Sequence, residues 1–426
     1  MSDFLVFCRE AFRRLVATIR QDGWGVAARK TGQFLGRYLR PNRAAVQGAA
    51  YLRPFWQDMA RHGAFHARPV QGSAPRIAMI ADLGLAQCRK YRVQQPAEIW
   101  AQAGVGYESA DWRDVARASE LMQQATHLMI YRVPASPELE MYLFEARRLG
   151  LPVAYDLDDP LFCIAAYETY GNMAALPDAM KTHFLAEAPR YLAAMNQADI
   201  VTVSTPGMVA RAQLYTTRPV YLRRNFADVE TLAAAEATLA DRPDRQGGFR
   251  VAFSSGSMGH EADFAQVADD LSAFLAGAPD RRLVLLGHFD LAALPADLRS
   301  RAEHHPFTDY ASYLHVLAGV DCAVMPLGDD AFNACKSAVR VIDAAAVAVP
   351  SLVADIGDLP VLIQDGISGH VLGAGDSWLE RLVAMAQNPN ATSAMGQAAR
   401  RHLLESWQAQ TSPDLVAPEL LAWVRG

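Results

Sequence analysis

Residues 332–350, FNACKSAVRVIDAAAVAVP, set two cations and one carboxylate into an otherwise apolar run. Asn333 can cap a helix start and Val349-Pro350 can end it, so the spacing predicts one helix over the stretch. On that helix Lys336, Arg340 and Asp343 fall at i, i+4 and i+7 and share a face. The chemistry this suits is recognition of a nucleoside diphosphate. Lysine supplies a point charge and arginine a fork for phosphate oxygens, and Asp343 can accept hydrogen bonds from a ribose. Cations in the first half of a helix oppose its dipole, so helix stability does not explain them. The plain alternative is a surface Arg–Asp pair beside a solvated lysine.

Three other clusters could carry chemistry. Ser255-Gly256-Ser257-Met258-Gly259-His260 follows an apolar strand and precedes a helix, a junction whose backbone N–H groups can hold phosphate oxygens. It is neither GxGxxG nor a Walker loop, and a plain tight turn accounts for it equally; His260 either faces a ligand or caps the next helix. Arg89-Lys90-Tyr91-Arg92 follows the first strand and can receive an anionic acceptor such as a lipid diphosphate, or form a solvated loop. Asp156-Leu157-Asp158-Asp159 contains a DxD pattern of the kind that bridges Mg or Mn to a diphosphate. It lies far from the phosphate features, which favours a capping role or contact with an acceptor hydroxyl; no metal is expected. Ser204-Thr205 lacks a nucleophile elbow and no HExxH occurs.

These residues need a scaffold, and the chain alternates strand-like and helix-like segments. Apolar runs at 76–81, 126–133, 151–157, 199–205 and 219–225 predict one parallel sheet with helices on both faces. Residues 226–248, Ala-rich and then polar with Pro and Gly, read as a linker. The alternation resumes at 249–255, 281–287, 321–327, 350–355 and 369–372. The expected fold is α/β: two Rossmann-like, doubly wound domains facing a cleft, with ligands at the carboxyl ends of their strands. The divisions are 1–75, a helical extension; 76–225, the first domain; 226–248, the linker; 249–395, the second domain; and 396–426, helices expected to brace the first domain.

Composition limits the function classes. The 426 residues are 51% hydrophobic and 20% charged, an ordinary globular balance. Five cysteines without a CxxC pair argue against a disulfide framework or zinc site. Residues 1–75 hold twelve Lys/Arg against four Asp/Glu, a net of +8; the whole chain is −6, so the remainder carries −14. Nucleic acid is therefore not an expected partner. In the extension Phe4, Leu5, Cys8, Phe12, Leu15, Val16 and Ile19 form a helical stripe among arginines. Either that stripe packs on the body or it lies on an anionic membrane surface through residues 1–70. No apolar run approaches the roughly 18 residues of a membrane span, and a cytoplasmic protein, peripheral on the inner membrane face in the second case, is expected.

SSGSMGHEADF (254–264), LVLLGH (283–288) and the segment 309–372 around FNACKSAVRVIDAAA together resemble the donor half of GT-B glycosyltransferases of family 4. The likeness is to the branch with an FNxxKS helix found in bacterial surface-polysaccharide synthesis. CRKYRVQQPAEIWAQAG (88–104), VAYDLDDPLF (153–162) and VTVSTPGMVARA (201–212) are similar to its first half, so about 76–405 is covered. The resemblance implies retaining transfer of a sugar from a nucleotide-diphosphate donor, the co-substrate, to a glycan or lipid-linked acceptor, with no cofactor required. Lys336 and Arg340 would stabilise the leaving phosphate. Gly256, Ser257, His260, Asn333, Ser337 and Asp343 would hold the donor, with Asp343 on the ribose. Arg89, Tyr91, Arg92, Asp156 and Asp158 would lie on the acceptor side. Two departures stand out: Cys335 occupies the place of the first carboxylate of the family's pair, and Arg340 replaces a frequent lysine. The alternatives are a non-catalytic nucleotide- or glycan-binding scaffold and a sugar epimerase of the same fold.

Overall fold

The computed structural model describes residues 74–84, 86–243, 247–256 and 259–426, with Val16, Trp24, Ala28 and Thr31 as isolated helical positions. The basic extension 1–75 and Ser257 thus lie almost wholly outside the described residues. The chain divides into two units, Met1–Gly63 and Ala64–Gly426, and both β-sheets belong to the second.

Each sheet has six strands and is parallel throughout. The first contains β1 (Arg76–Ala81), β2 (Gly106–Asp111), β3 (His127–Tyr131), β4 (Val153–Leu157), β5 (Ile200–Val203) and β6 (Val220–Leu222) in the order β2-β1-β3-β4-β5-β6. The second contains β7 (Arg250–Ser255), β8 (Arg282–Gly287), β9 (Ala302–His305), β10 (Cys322–Met325), β11 (Ser351–Ala354) and β12 (Gly369–Leu372) in the order β12-β11-β10-β7-β8-β9. Helices cover both faces, which is why β3, β4, β5, β10 and β11 are buried at every position and read as continuous apolar runs. β2 (GYESAD) and β9 (AEHH) carry no such run and are not evident from sequence. Each is a sheet edge, mostly half-buried or exposed, and so tolerates several polar residues that need no buried partner.

Helix starts follow local chemistry. Ser136 accepts from Leu139 N at 3.2 Å, Thr205 from Met208 N at 3.0 Å and Asp228 from Thr231 N at 2.8 Å, each capping the next helix. Asp228 opens the helix Val229–Ala240 in the linker. The helix Pro389–Ser406 runs unbroken through position 396. Beyond it Trp407 donates its indole N–H to Asn225 O at 3.0 Å, and Leu415, Val416, Leu420 and Val424 enter the hydrophobic core under the first sheet.

The expected helix over 332–350 is broken in two. A 3-10 turn, Asn333–Cys335, is followed by Lys336 in an extended conformation, and the α-helix covers only Val339–Ala346. Asn333 caps no α-helix; its amide donates to Asp263, Gly328 O and Asp330 within the loop. The break follows from docking against the first domain. Thr205 Oγ1 donates to Cys335 O at 3.0 Å, Asn225 Nδ2 to Ser337 Oγ at 3.1 Å, and Gly207 lies against Ala334 so closely that a Cβ there would overlap the Ala334 carbonyl. Continuous helix hydrogen bonding gives way to contacts across the domains.

Candidate functional site

Strand order reverses between β1 and β3 in the first sheet and between β7 and β10 in the second. At such switch points the connections leave on opposite faces and open a crevice at the strands' carboxyl ends. Both crevices meet in one cleft of about 650 Å³. From the first domain come Gly84, Gln87, Arg89, Tyr91, Arg132, Asp158 and Asp159; from the second, Gly256, His260, Phe307, Tyr310, Lys336, Ser337, Arg340 and Asp343.

The second-domain wall contains the cations foreseen from sequence, although they do not share a helix face. Lys336 projects from the extended break and Arg340 from the first turn of the short helix, where its guanidinium donates to Ser254 O at 3.1 Å. Burial lowers the pKa of His260 below the usual imidazole range; an Asp263 hydrogen bond at 3.0 Å opposes this, and the positive charges of Arg340 and Lys336 reinforce it. Gly287 at the end of β8 has φ +94°, and a side chain there would overlap Ser255 O, so only glycine lets the ends of β7 and β8 pair this closely beside the cleft.

First-domain groups already occupy these side chains. Lys336 Nζ lies 3.0 Å from Asp159 Oδ1. Burial disfavours the charged lysine, but Asp159 outweighs it, and the net effect raises the Lys336 pKa. Burial likewise pushes Asp159 up, and Lys336 followed by Arg132 brings it below the usual carboxylate range. Arg132 Nη1 reaches Asp158 at 3.3 Å and Asp159 at 3.5 Å. It sits at the carboxyl end of β3 with φ 56°, a left-handed conformation unusual for arginine. Asp343 Oδ1 accepts from Tyr91 OH at 2.8 Å and Tyr310 OH at 2.6 Å. Burial raises its pKa from 3.8 to about 6 against those two hydrogen bonds. Gln87 Nε2 donates to Gly256 O at 3.3 Å.

Two acceptor-side expectations are corrected. Arg92 and Asp156 are fully buried and do not line the cleft. Arg92 grips Asp156 through Nε at 3.0 Å and Nη2 at 2.5 Å, Arg223 Nη2 adds a contact at 2.6 Å, and Thr202 Oγ1 another at 2.6 Å. This is a dry lock beneath the sheet. Asp156 is in β4, whereas Asp158 and Asp159 lie past its end, so one short motif serves two sites. Asn333 also stays out of the cleft, and Cys335 is buried.

Arg132, Gln87, Tyr310 and Phe307 were not among the expected site residues, and Asp159 entered only as part of the DxD cluster, with no contact to Lys336 foreseen. Tyr310 and Tyr313 stand one helical turn apart and carried a legible signal; Arg132 carried none, because a left-handed arginine at a strand end has no sequence mark. Among the described residues no group of three or more His, Cys, Asp or Glu is arranged to hold a metal ion, and no helix is long and apolar enough to cross a membrane.

The two facing Rossmann-like sheets with a cleft between them recur in solved structures. Sucrose-phosphate synthase from Thermosynechococcus elongatus superposes with a TM-score of 0.52 at 13% identity, covering 79% of this chain and 96% of that one. Anabaena Alr3699/HepE in complex with UDP and glucose gives 0.52 at 12% identity, with 79% and 96% covered. WaaG, a glycosyltransferase involved in lipopolysaccharide biosynthesis, gives 0.51 at 12% identity, with 82% and 100% covered. The fold is GT-B. The sequence matches no protein-family model and none of the curated proteins. At these identities the likeness establishes architecture, and the chemistry of this GT-B cleft rests on the chain's own side chains.

Proposed function

We propose that the protein is a glycosyltransferase that takes a sugar from a nucleoside-diphosphate donor and passes it, with retention, to a glycan or lipid-linked acceptor in cell-surface polysaccharide synthesis. The observation that carries this reading is the convergence of Lys336, Arg340 and the 255–256 strand end on one wall of the interdomain cleft. A diphosphate leaving group needs charge stabilisation that is in place before the bond breaks, and a lysine held charged beside a guanidinium supplies it without reorganisation. Asp343 would take the ribose, and Phe307, stacked on His288 with ring centroids 5.1 Å apart, offers a flat surface for the base. Arg89 lines the first-domain side of the cleft and is exposed, suited to an anionic acceptor. The UDP and glucose held by the Anabaena structure of the same fold support a nucleotide-sugar donor.

The test is incubation with UDP-, GDP-, ADP- and dTDP-sugars, with release of nucleoside diphosphate measured with and without glycan acceptors. Turnover of one donor, lowered at least tenfold by Lys336→Ala, is expected; proton NMR of the product then gives the anomeric configuration. Binding without turnover across the panel would favour a scaffold, and a sugar isomer formed without acceptor would favour an epimerase.

A further inference from the structure

We propose that before donor binds, the cleft is held by a carboxylate standing in for phosphate: Asp159 occupies Lys336 until a diphosphate displaces it, and Arg132 receives the displaced carboxylate. This deepens the donor-site reading and rests on it. The ammonium that would meet a diphosphate oxygen is 3.0 Å from Asp159 Oδ1, so ligand and Asp159 compete for the same N–H groups. Asp159 and Lys336 belong to different domains, and both side chains are only about one-fifth exposed. Leaving the carboxylate without a cation would oppose ligand entry by the modest worth of a partly solvated pair. Asp159 is not abandoned, because its Oδ2 already pairs with Arg132 Nη1 at 3.5 Å, a contact that can shorten as Lys336 turns to the ligand.

The left-handed backbone of Arg132 fits this role. Strain at a strand end persists where surrounding structure needs the side chain in one place, and here it sets the guanidinium between Asp158 and Asp159. The same substitution of a first-domain group for a ligand recurs at the ribose position, where Tyr91 OH lies 2.8 Å from Asp343 Oδ1. Donor groups thus enter by exchange rather than by filling vacant contacts. A single weak phosphate displaces Asp159 poorly, whereas a diphosphate reaching both Lys336 and Arg340 displaces it well, so the exchange selects for diphosphates.

The test is calorimetric titration of the full chain with UDP, GDP and inorganic pyrophosphate. Asp159→Asn removes the competing charge and should bind roughly tenfold more tightly, the factor by which an occupied state lowers apparent affinity. Arg132→Ala leaves Asp159 only Lys336 as a partner and should bind roughly threefold or more weakly. In the Asp159→Asn background the Arg132→Ala effect should vanish, which separates a receiver of the carboxylate from a direct phosphate ligand. Far-UV circular dichroism checks folding, and Asp159→Ser replaces Asp159→Asn should the amide disturb the loop. Unchanged or weaker binding by the Asp159 variants, or an Arg132 effect that persists without Asp159, overturns the exchange. With wild-type binding intact and lost in Lys336→Ala, those results leave the donor site standing. Absence of binding by wild type and all variants removes both.

Discussion

Asp156 and Asp159 are three residues apart, and the ion clusters they join have opposite characters. Asp156 is shared by Arg92 and Arg223 at 0% side-chain exposure, within one domain and beneath its sheet. Asp159 is shared by Lys336 and Arg132, about one-fifth exposed and bridging two domains. The chemistry is the same; what differs is the availability of another partner. Asp156 has none and acts as a lock, whereas a diphosphate can replace Asp159. A short acidic motif is thereby divided between architecture and function at the point where β4 ends.

Substituting the two carboxylates breaks or sustains that contrast. Asp156→Ala strands two buried guanidinium groups and should cost about 3–5 kcal/mol in urea denaturation. A loss under about 1 kcal/mol would mean the lock is not closed.

Asp343 lies between the extremes. Its folded pKa, about 6, exceeds the ordinary 3.8, so the folded state holds a proton that the unfolded state has released between about pH 4 and 6. The stability this confers is full below pH 4 and is lost as pH rises through 6. Tyr91, Tyr310, Tyr313, Lys90 and Asp228 surround the group. Asp343→Asn keeps an acceptor for the tyrosines without the charge. Its stability relative to wild type should improve by about 1–2 kcal/mol between pH 4.5 and 7.5, below the full equivalent of the shift because polar neighbours relax. A difference independent of pH would contradict the assignment.

The smallest effect belongs to the cleft. Asp159→Ala should change unfolding free energy by less than about 1 kcal/mol, as expected of a partly solvated pair. A cost near that of Asp156→Ala would make Asp159 a second lock and remove its role in exchange.

Ten of the twelve strands were legible as short apolar runs, the central ones because burial on both faces demands it and the edge strands β6 (VYL) and β12 (GHVL) because they keep enough apolar residues. β2 and β9 stayed hidden because an edge strand tolerates GYESAD or AEHH. Lys336, Arg340 and Asp343 were singled out from charge set in apolar surroundings, and His260 from the small-residue turn that it closes. The break at Lys336 was not, since Lys-Ser-Ala suits a helix and the interruption comes from Thr205, Gly207 and Asn225, more than a hundred residues away. Arg92 was misplaced for a related reason: basic residues look solvated until the carboxylate that buries them, 64 positions on, is brought beneath the same sheet.

The donor site hinges on Lys336, and the decisive experiment is isothermal titration of wild type and Lys336→Ala with UDP and GDP. One nucleotide should bind wild type, and the variant should lose roughly 1.5–3 kcal/mol of affinity, the scale of a hydrogen bond to a charged group. Equal affinities in the two proteins would contradict this.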